Sequence, residues 1–177
     1  MRTKMIILPL LLVLASDTGN WNADADKAKV EFNIKGPFGT VHGEFKGLKA
    51  TIQFDVKNPE AGSISASIDA TTVSTGIGLR NHHLRTEEQY FNTDKYPTIS
   101  FRSKKIEKAG SGYAASGELT LKGITKPLRL PFTFTSNGNN GTFKGQFVIK
   151  REDFNLGKPG GSTGDDVTVT LDVPVSQ

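Results

Sequence analysis

The sequence predicts an all-β domain, an antiparallel sandwich or barrel of eight or nine short strands with one helical insertion. Three observations carry this. Apolar residues recur at every second position through most of the chain, Gly, Pro and Asn cluster between those runs, and the alternation fails over one internal segment.

Taken in order, the first fifteen residues read as a secretory signal peptide. Arg2 and Lys4 form a basic start, residues 5–14 an apolar run, and Val13-Leu14-Ala15 a permissible cleavage end. A membrane anchor is the weaker alternative, because ten apolar residues reach only about 15 Å as a helix, half of a hydrocarbon core of about 30 Å. No stable membrane insertion is therefore expected. Residues 16–177 then form one domain of a periplasmic or secreted protein. Trp21 stands ahead of the first strand, placed to plug one end of a barrel or to anchor the N-terminal segment.

The first strand is carried by Val30, Phe32 and Ile34, alternating with Lys29, Glu31, Asn33 and Lys35, and a short one follows at 41–45. Ile52, Phe54 and Val56 mark the next over 51–57, and Ile64, Ala66 and Ile68 another over 63–69. The same period returns at 98–106, 113–121, 128–134, 143–149 and 167–175. This is the pattern of strands with one dry and one wet face. The joints are turn sequences: Gly36-Pro37, Asn58-Pro59, Gly110-Ser111-Gly112, Asn137-Gly138, Asn140-Gly141 and Pro159-Gly160-Gly161. Between Thr75 and Tyr96 the alternation stops, and Leu79, His83, Leu84, Tyr90 and Phe91 fall near helical spacing, which places a short helical insertion around residues 78–91.

Composition narrows the function. The chain has no cysteine, which excludes disulfides, thiolate metal sites and a cysteine nucleophile. Its formal charge of +4 includes Arg2 and Lys4 of the signal, leaving too small an excess to argue for nucleic acid. Of fifteen aromatic residues eleven are Phe, and most sit at the apolar phase of a strand, together with small residues at Gly43, Ala66, Ala115 and Gly117. Closing about eight strands leaves room for side chains alone or for side chains around one small ligand. Two readings follow: a filled barrel acting through its surface as a protein-interaction or stress-response module, or an apolar pocket for a hydrocarbon chain.

Four ordered segments add a resemblance. They are Val30-Glu31-Phe32-Asn33-Ile34 with Val41-His42-Gly43-Glu44-Phe45; Thr72-Val73-Ser74-Thr75 with Arg80-Asn81-His82-His83-Leu84-Arg85 and Lys95-Tyr96-Pro97-Thr98-Ile99-Ser100-Phe101; Gly117-Glu118-Leu119-Thr120-Leu121-Lys122-Gly123-Ile124-Thr125-Lys126-Pro127-Leu128; and Lys150-Arg151-Glu152-Asp153-Phe154-Asn155-Leu156. On these the sequence resembles the YceI-like family of exported lipid- or polyisoprenoid-binding proteins. The resemblance implies an eight-stranded lipocalin-like β-barrel that binds a long isoprenoid or fatty-acyl chain without known catalysis. A monomer or homodimer is expected. Asn81 stands where the family often has Asp.

The expected lipid-binding residues are Phe32, Ile34, Phe45, Ile68, Leu84, Phe91, Ile99, Phe101, Leu119, Phe132, Phe134, Phe147 and Leu171, with Arg80 and His83 near the mouth. Arg80 and His83 either tie the insertion to the barrel or form a polar collar for an acidic or amide head group, where the Arg80 fork suits phosphate or carboxylate. Adjacent helical residues point about 100° apart, so His82 and His83 do not share a metal, and no metal or cofactor is expected. No serine sits in a Gly-x-Ser-x-Gly elbow, and Gly157-Lys158-Pro159-Gly160-Gly161 reads as a hairpin turn rather than a phosphate loop.

Overall fold

A computed structural model describes residues 19–177, so the signal peptide expected over 1–15 lies outside the described residues. Within them run β1 (Asn20–Ala23), β2 (Lys29–Gly36), β3 (Gly39–Phe45), β4 (Lys49–Gln53), β5 (Ser63–Asp69), the helix α1 (Gly78–Thr86), β6 (Thr98–Ala109), β7 (Gly112–Leu121), β8 (Ile124–Asn137), β9 (Asn140–Lys150) and β10 (Asp166–Ser176).

Every neighbour from β4 to β10 pairs antiparallel with the next, and β1 closes the ring. It pairs with β4 through Trp21 and Ile52 and with the end of β10 through Ala23 and Val175. Eight strands, β1 and β4 to β10, therefore make a closed barrel, as the eight-stranded expectation required. The β2–β3 hairpin extends the wall at the other end of β10, where Ile34 faces Val167. The inner edge of that hairpin is paired, while the outer edge of β3 makes a single backbone bridge, between Glu44 and Ser74, and its last residue, Phe45, packs with Ile68 and Val73. The barrel is thus sealed at one end by β1, while the segment holding α1, which follows β5 and precedes β6 in the chain, lies at the other end beside the β2–β3 hairpin.

Several boundaries differ from the sequence reading for local reasons. Trp21 lies inside a strand rather than ahead of one. Asn-Trp-Asn-Ala offers a single large apolar residue, too short a run to show a period of two. The strand expected over 51–57 stops at Gln53. The Asp55 side chain accepts from the Lys57 N–H at 2.8 Å and its carbonyl from the Asn58 N–H at 3.1 Å, so the chain turns; Phe54 stays buried and Val56 is exposed. β8 runs through Pro127 and Pro131 because both lie before Phe132, where pairing with β9 begins, leaving one neighbour to satisfy. Asn140 and Gly141 belong to β9, and the turn is Gly138-Asn139, with Gly138 at φ +59°.

The register between β6 and β7 slips between Ser103 and Lys105, a bulge that Gly117 accommodates, since a Cβ there would collide with the Arg102 carbonyl oxygen. The Ser103 hydroxyl accepts from the Ile64 N–H at 2.8 Å, giving that donor a partner where the ladder is interrupted. In the insertion, α1 covers nine residues, and Tyr90 and Phe91 follow on turns. Leu79 does not face the barrel as its spacing suggested; it is 68% exposed, and no residue of α1 is fully buried.

Candidate functional site

The interior of the barrel is not filled. A cavity of about 920 Å³ occupies its upper part, walled by strands, floored by aromatic rings and bordered at its mouth by the β2–β3 turn, the α1 segment and the loop between β9 and β10.

The floor is built around Phe54, the last residue before the Asp55 turn. Its ring meets Tyr113, Phe132, Phe134 and Phe143 edge-on, with centroids 4.8 to 5.6 Å apart. Trp21 packs edge-on against Phe134 at 5.1 Å and donates its indole N–H to the Phe54 carbonyl at 3.1 Å, which gives its buried polar atom a partner. Trp21 thus plugs the closed end.

The wall above holds Ile34, Ile68, Ile99, Phe101, Leu119, Phe147 and Leu171, and Phe132 and Phe143 form the boundary between cavity and floor. Register explains the clustering: Ile68 faces Ile99 and Phe101 faces Leu119 across neighbouring strands on the same dry face. Phe32, Phe45, Leu84 and Phe91 line the side toward the insertion, where Phe45 stands 5.6 Å from Phe32 and edge-on to Phe91 at 5.5 Å. Of the thirteen apolar positions picked from sequence, Phe134 is the exception: it faces inward but belongs to the floor beneath the cavity. Strand parity told inside from outside and had no information about depth along the barrel.

The small residues behave less simply than spacing suggested. Ala66 borders the cavity, but Gly43, Ala115 and Gly117 do not. Gly117 serves the bulge, and Gly43, directly opposite Phe32, lies beneath its ring, where a Cβ would collide with three Phe32 ring atoms. The Phe32 ring therefore lies flat along the wall instead of crossing the bore.

At the mouth, α1 begins after Ile77 and is fastened by Asn81, whose Oδ1 accepts from the Thr75 N–H at 2.8 Å and from its hydroxyl at 2.7 Å. Both bonds need only an acceptor, so the amide does here what a carboxylate would. Arg85, not Arg80, ties the helix to the barrel, donating to the Val73 carbonyl at 3.3 Å. Arg80 and His83 both border the cavity. His83 Nδ1 lies 3.7 Å from Glu87 Oε1, whereas Arg80, half-buried, has no hydrogen-bond or ion-pair partner among the described residues. His82 and His83 have ring centroids 6.1 Å apart, and among the described residues no three potential metal ligands converge.

A residue the sequence reading missed organises the third side of the mouth. Arg151, only 5% exposed, donates Nε to the Gly164 carbonyl at 2.9 Å and Nη1 to that of Leu156 at 2.7 Å. Its Nη2 reaches the carbonyls of Lys158 at 3.2 Å and Thr163 at 3.1 Å and the Glu152 carboxylate at 3.3 Å. One guanidinium so folds the glycine-rich loop over the rim, and the Gly157 N–H fastens that loop to the Gln89 carbonyl at 2.6 Å. The signal was present in the alternation: after Ile149 and Lys150, the interior phase falls on Arg151. Nearby, Lys122 donates to the Asn155 carbonyl at 2.7 Å, and burial pushes its ammonium below the usual lysine range.

An antiparallel barrel with a sealed aromatic floor, a large apolar interior and a polar rim at one end is of the lipocalin-like class. The YceI-like domain model matches residues 21–175, and the chain belongs to the YceI-like family. A UPF0312 protein of Pectobacterium atrosepticum is 32% identical over 160 residues, spanning 86% of this chain and 83% of that protein. The crystal structure of Burkholderia cenocepacia BcnA superposes with a TM-score of 0.81 at 29% identity, covering 88% of this chain and 99% of that one. The fold is also shared with a polyisoprenoid binding domain from Saccharophagus degradans implicated in plant cell wall breakdown, at a TM-score of 0.67 and 18% identity over 88% of this chain and 97% of that one.

Proposed function

We propose that this protein is an exported binder or carrier of a long-chain apolar lipid, of isoprenoid or fatty-acyl type, and not an enzyme. The observation that carries the reading is the cavity of about 920 Å³ with a mostly apolar wall and with Arg80 and His83 at its mouth. That volume lies toward the upper end of the range of about 300–1,000 Å³ for pockets that enclose small molecules. Hydrocarbon burial contributes about 0.8 kcal/mol per methylene, so a long chain needs few polar contacts to stay bound. Arg80 is the residue for the head group: a half-buried guanidinium without a partner among the described residues, bordering the cavity, suits phosphate or carboxylate. Export is supported by the basic and then apolar start of the chain, and no helix among the described residues is long and apolar enough to cross a membrane.

Native mass spectrometry of the purified protein, followed by organic extraction, tests the reading. A stoichiometric long-chain species is the expected result. A clean apo mass, with no uptake from isoprenoid and fatty-acyl mixtures, would overturn it in favour of a barrel that works through its surface.

A further inference from the structure

Resting on that reading, we infer that the open end of the barrel is a docking surface for an anionic lipid bilayer, with Phe38 as its apolar tip. Among the described residues five large apolar side chains are exposed, and three of them belong to the mouth: Phe38 at 102%, Leu79 at 68% and Ile77 at 49%.

Phe38 sits on the two-residue turn between β2 and β3, where Pro37 stiffens one side and Gly39, at φ +128°, tightens the other. A fully exposed phenyl on a rigid hairpin tip stabilises nothing in this fold. It also borders the cavity, as does α1 through Arg80, so one side chain is continuous with the interior surface and with the outside. A lipid leaving the cavity past this rim would pass from an apolar wall onto an apolar tip, without crossing a wet gap, if the tip is sunk in a membrane interface.

Charge selects the kind of surface. Lys35 beside the turn, Arg80 on α1 and Lys158 on the glycine-rich loop have no carboxylate within ion-pair distance among the described residues. Of the acids at the same end, Glu87 is engaged by His83, Glu152 by Arg151 and Asp165 by Lys150, while Glu88 and Asp153, both exposed, have no ion-pair partner among the described residues. Unpaired cations around an apolar tip suit a layer of anionic phospholipid head groups, to which each adds attraction that salt screens. This is a peripheral contact at the depth of head groups, as an apolar side chain with flanking cations makes it.

The test uses two kinds of variant of the full chain. In Phe38→Trp the new indole is the reporter, and the buried Trp21 of the wild type supplies the baseline. With mixed phosphatidylcholine–phosphatidylglycerol vesicles its emission is expected to shift to the blue, to be quenched by phospholipid brominated on its acyl chains, and to respond less in high salt. Leu79→Asp places a carboxylate in the first turn of α1, which the helix tolerates, outside the cavity wall. It is expected to take up detergent-dispersed lipid to the same stoichiometry as wild type but to acquire lipid from vesicles about tenfold more slowly, as loss of one apolar anchor predicts. Normal uptake of dispersed lipid, with no spectral response from the reporter indole and an unchanged transfer rate, would overturn the docking surface and leave the binding function standing. Failure of every variant and of wild type to take up dispersed lipid would overturn the binding function, and this inference with it.

Discussion

The two ends of the barrel share most of their strands yet are packed in opposite ways. At the closed end Phe54 is within 5.6 Å of four other rings, Trp21 adds an edge contact and a hydrogen bond, and the four residues of β1 complete the ring. At the open end β2 and β3 continue the wall, α1 buries none of its residues fully, and the chain is held by polar fastenings at Asn81, Arg85 and Arg151. The difference divides labour: aromatic packing holds the fold where nothing has to enter, and hydrogen bonds to backbone shape the rim where something does. Substitutions at the two ends are accordingly expected to move different observables.

The largest effect is expected at the floor. Phe54→Ala removes the ring on which the others converge and should cost about 3–5 kcal/mol, read from the midpoint of chemical denaturation. A loss under about 1 kcal/mol would break the comparison, because the floor would then not anchor the fold.

Arg151→Ala leaves four part-buried backbone carbonyls without their donor and should cost about 1–3 kcal/mol, with faster amide exchange at Gly157. Arg151→Lys should recover little of it, since an ammonium cannot reproduce the planar fork. Unchanged exchange at Gly157 would show that the loop is held by something other than this guanidinium.

A smaller change should come from Gly43→Ala. The added methyl displaces the Phe32 ring toward the bore at a cost near the low end of about 1–3 kcal/mol. The measurement is the chain-length profile of co-purifying lipid, expected to move to shorter species, and an unaltered profile would place the ligand away from Phe32.

Arg80→Gln should hardly touch stability, within about 0.5 kcal/mol, while weakening retention of an anionic lipid about tenfold, the loss of one charge-assisted contact. Equal retention of anionic and neutral lipids in wild type and variant would remove Arg80 from the head-group site.

Much of the wall was legible in the sequence. Period two put Ile34, Ile68, Ile99, Phe101, Leu119 and Leu171 on dry faces, and antiparallel pairing with those faces turned inward leaves them no other place. Parity is a two-valued property, so it could not separate Phe134 in the floor from Phe147 in the cavity wall. It also could not show that Gly43 spends its space on the Phe32 ring. Leu79 illustrates a further limit: helical spacing marks a face, but in a nine-residue helix lying at a rim that face has nothing to bury against.

By itself, then, the sequence determined the fold class, the longer strands and the side of each that is dry, because alternation and turn chemistry act over a few residues and are written locally. Tertiary structure alone decided which strand closes the ring, how deep the aromatic floor reaches and where the cavity begins. Those depend on contacts between residues far apart in the chain, such as Trp21 with Phe54 and Arg151 with Gly164, whose energies appear only once the barrel has brought them together.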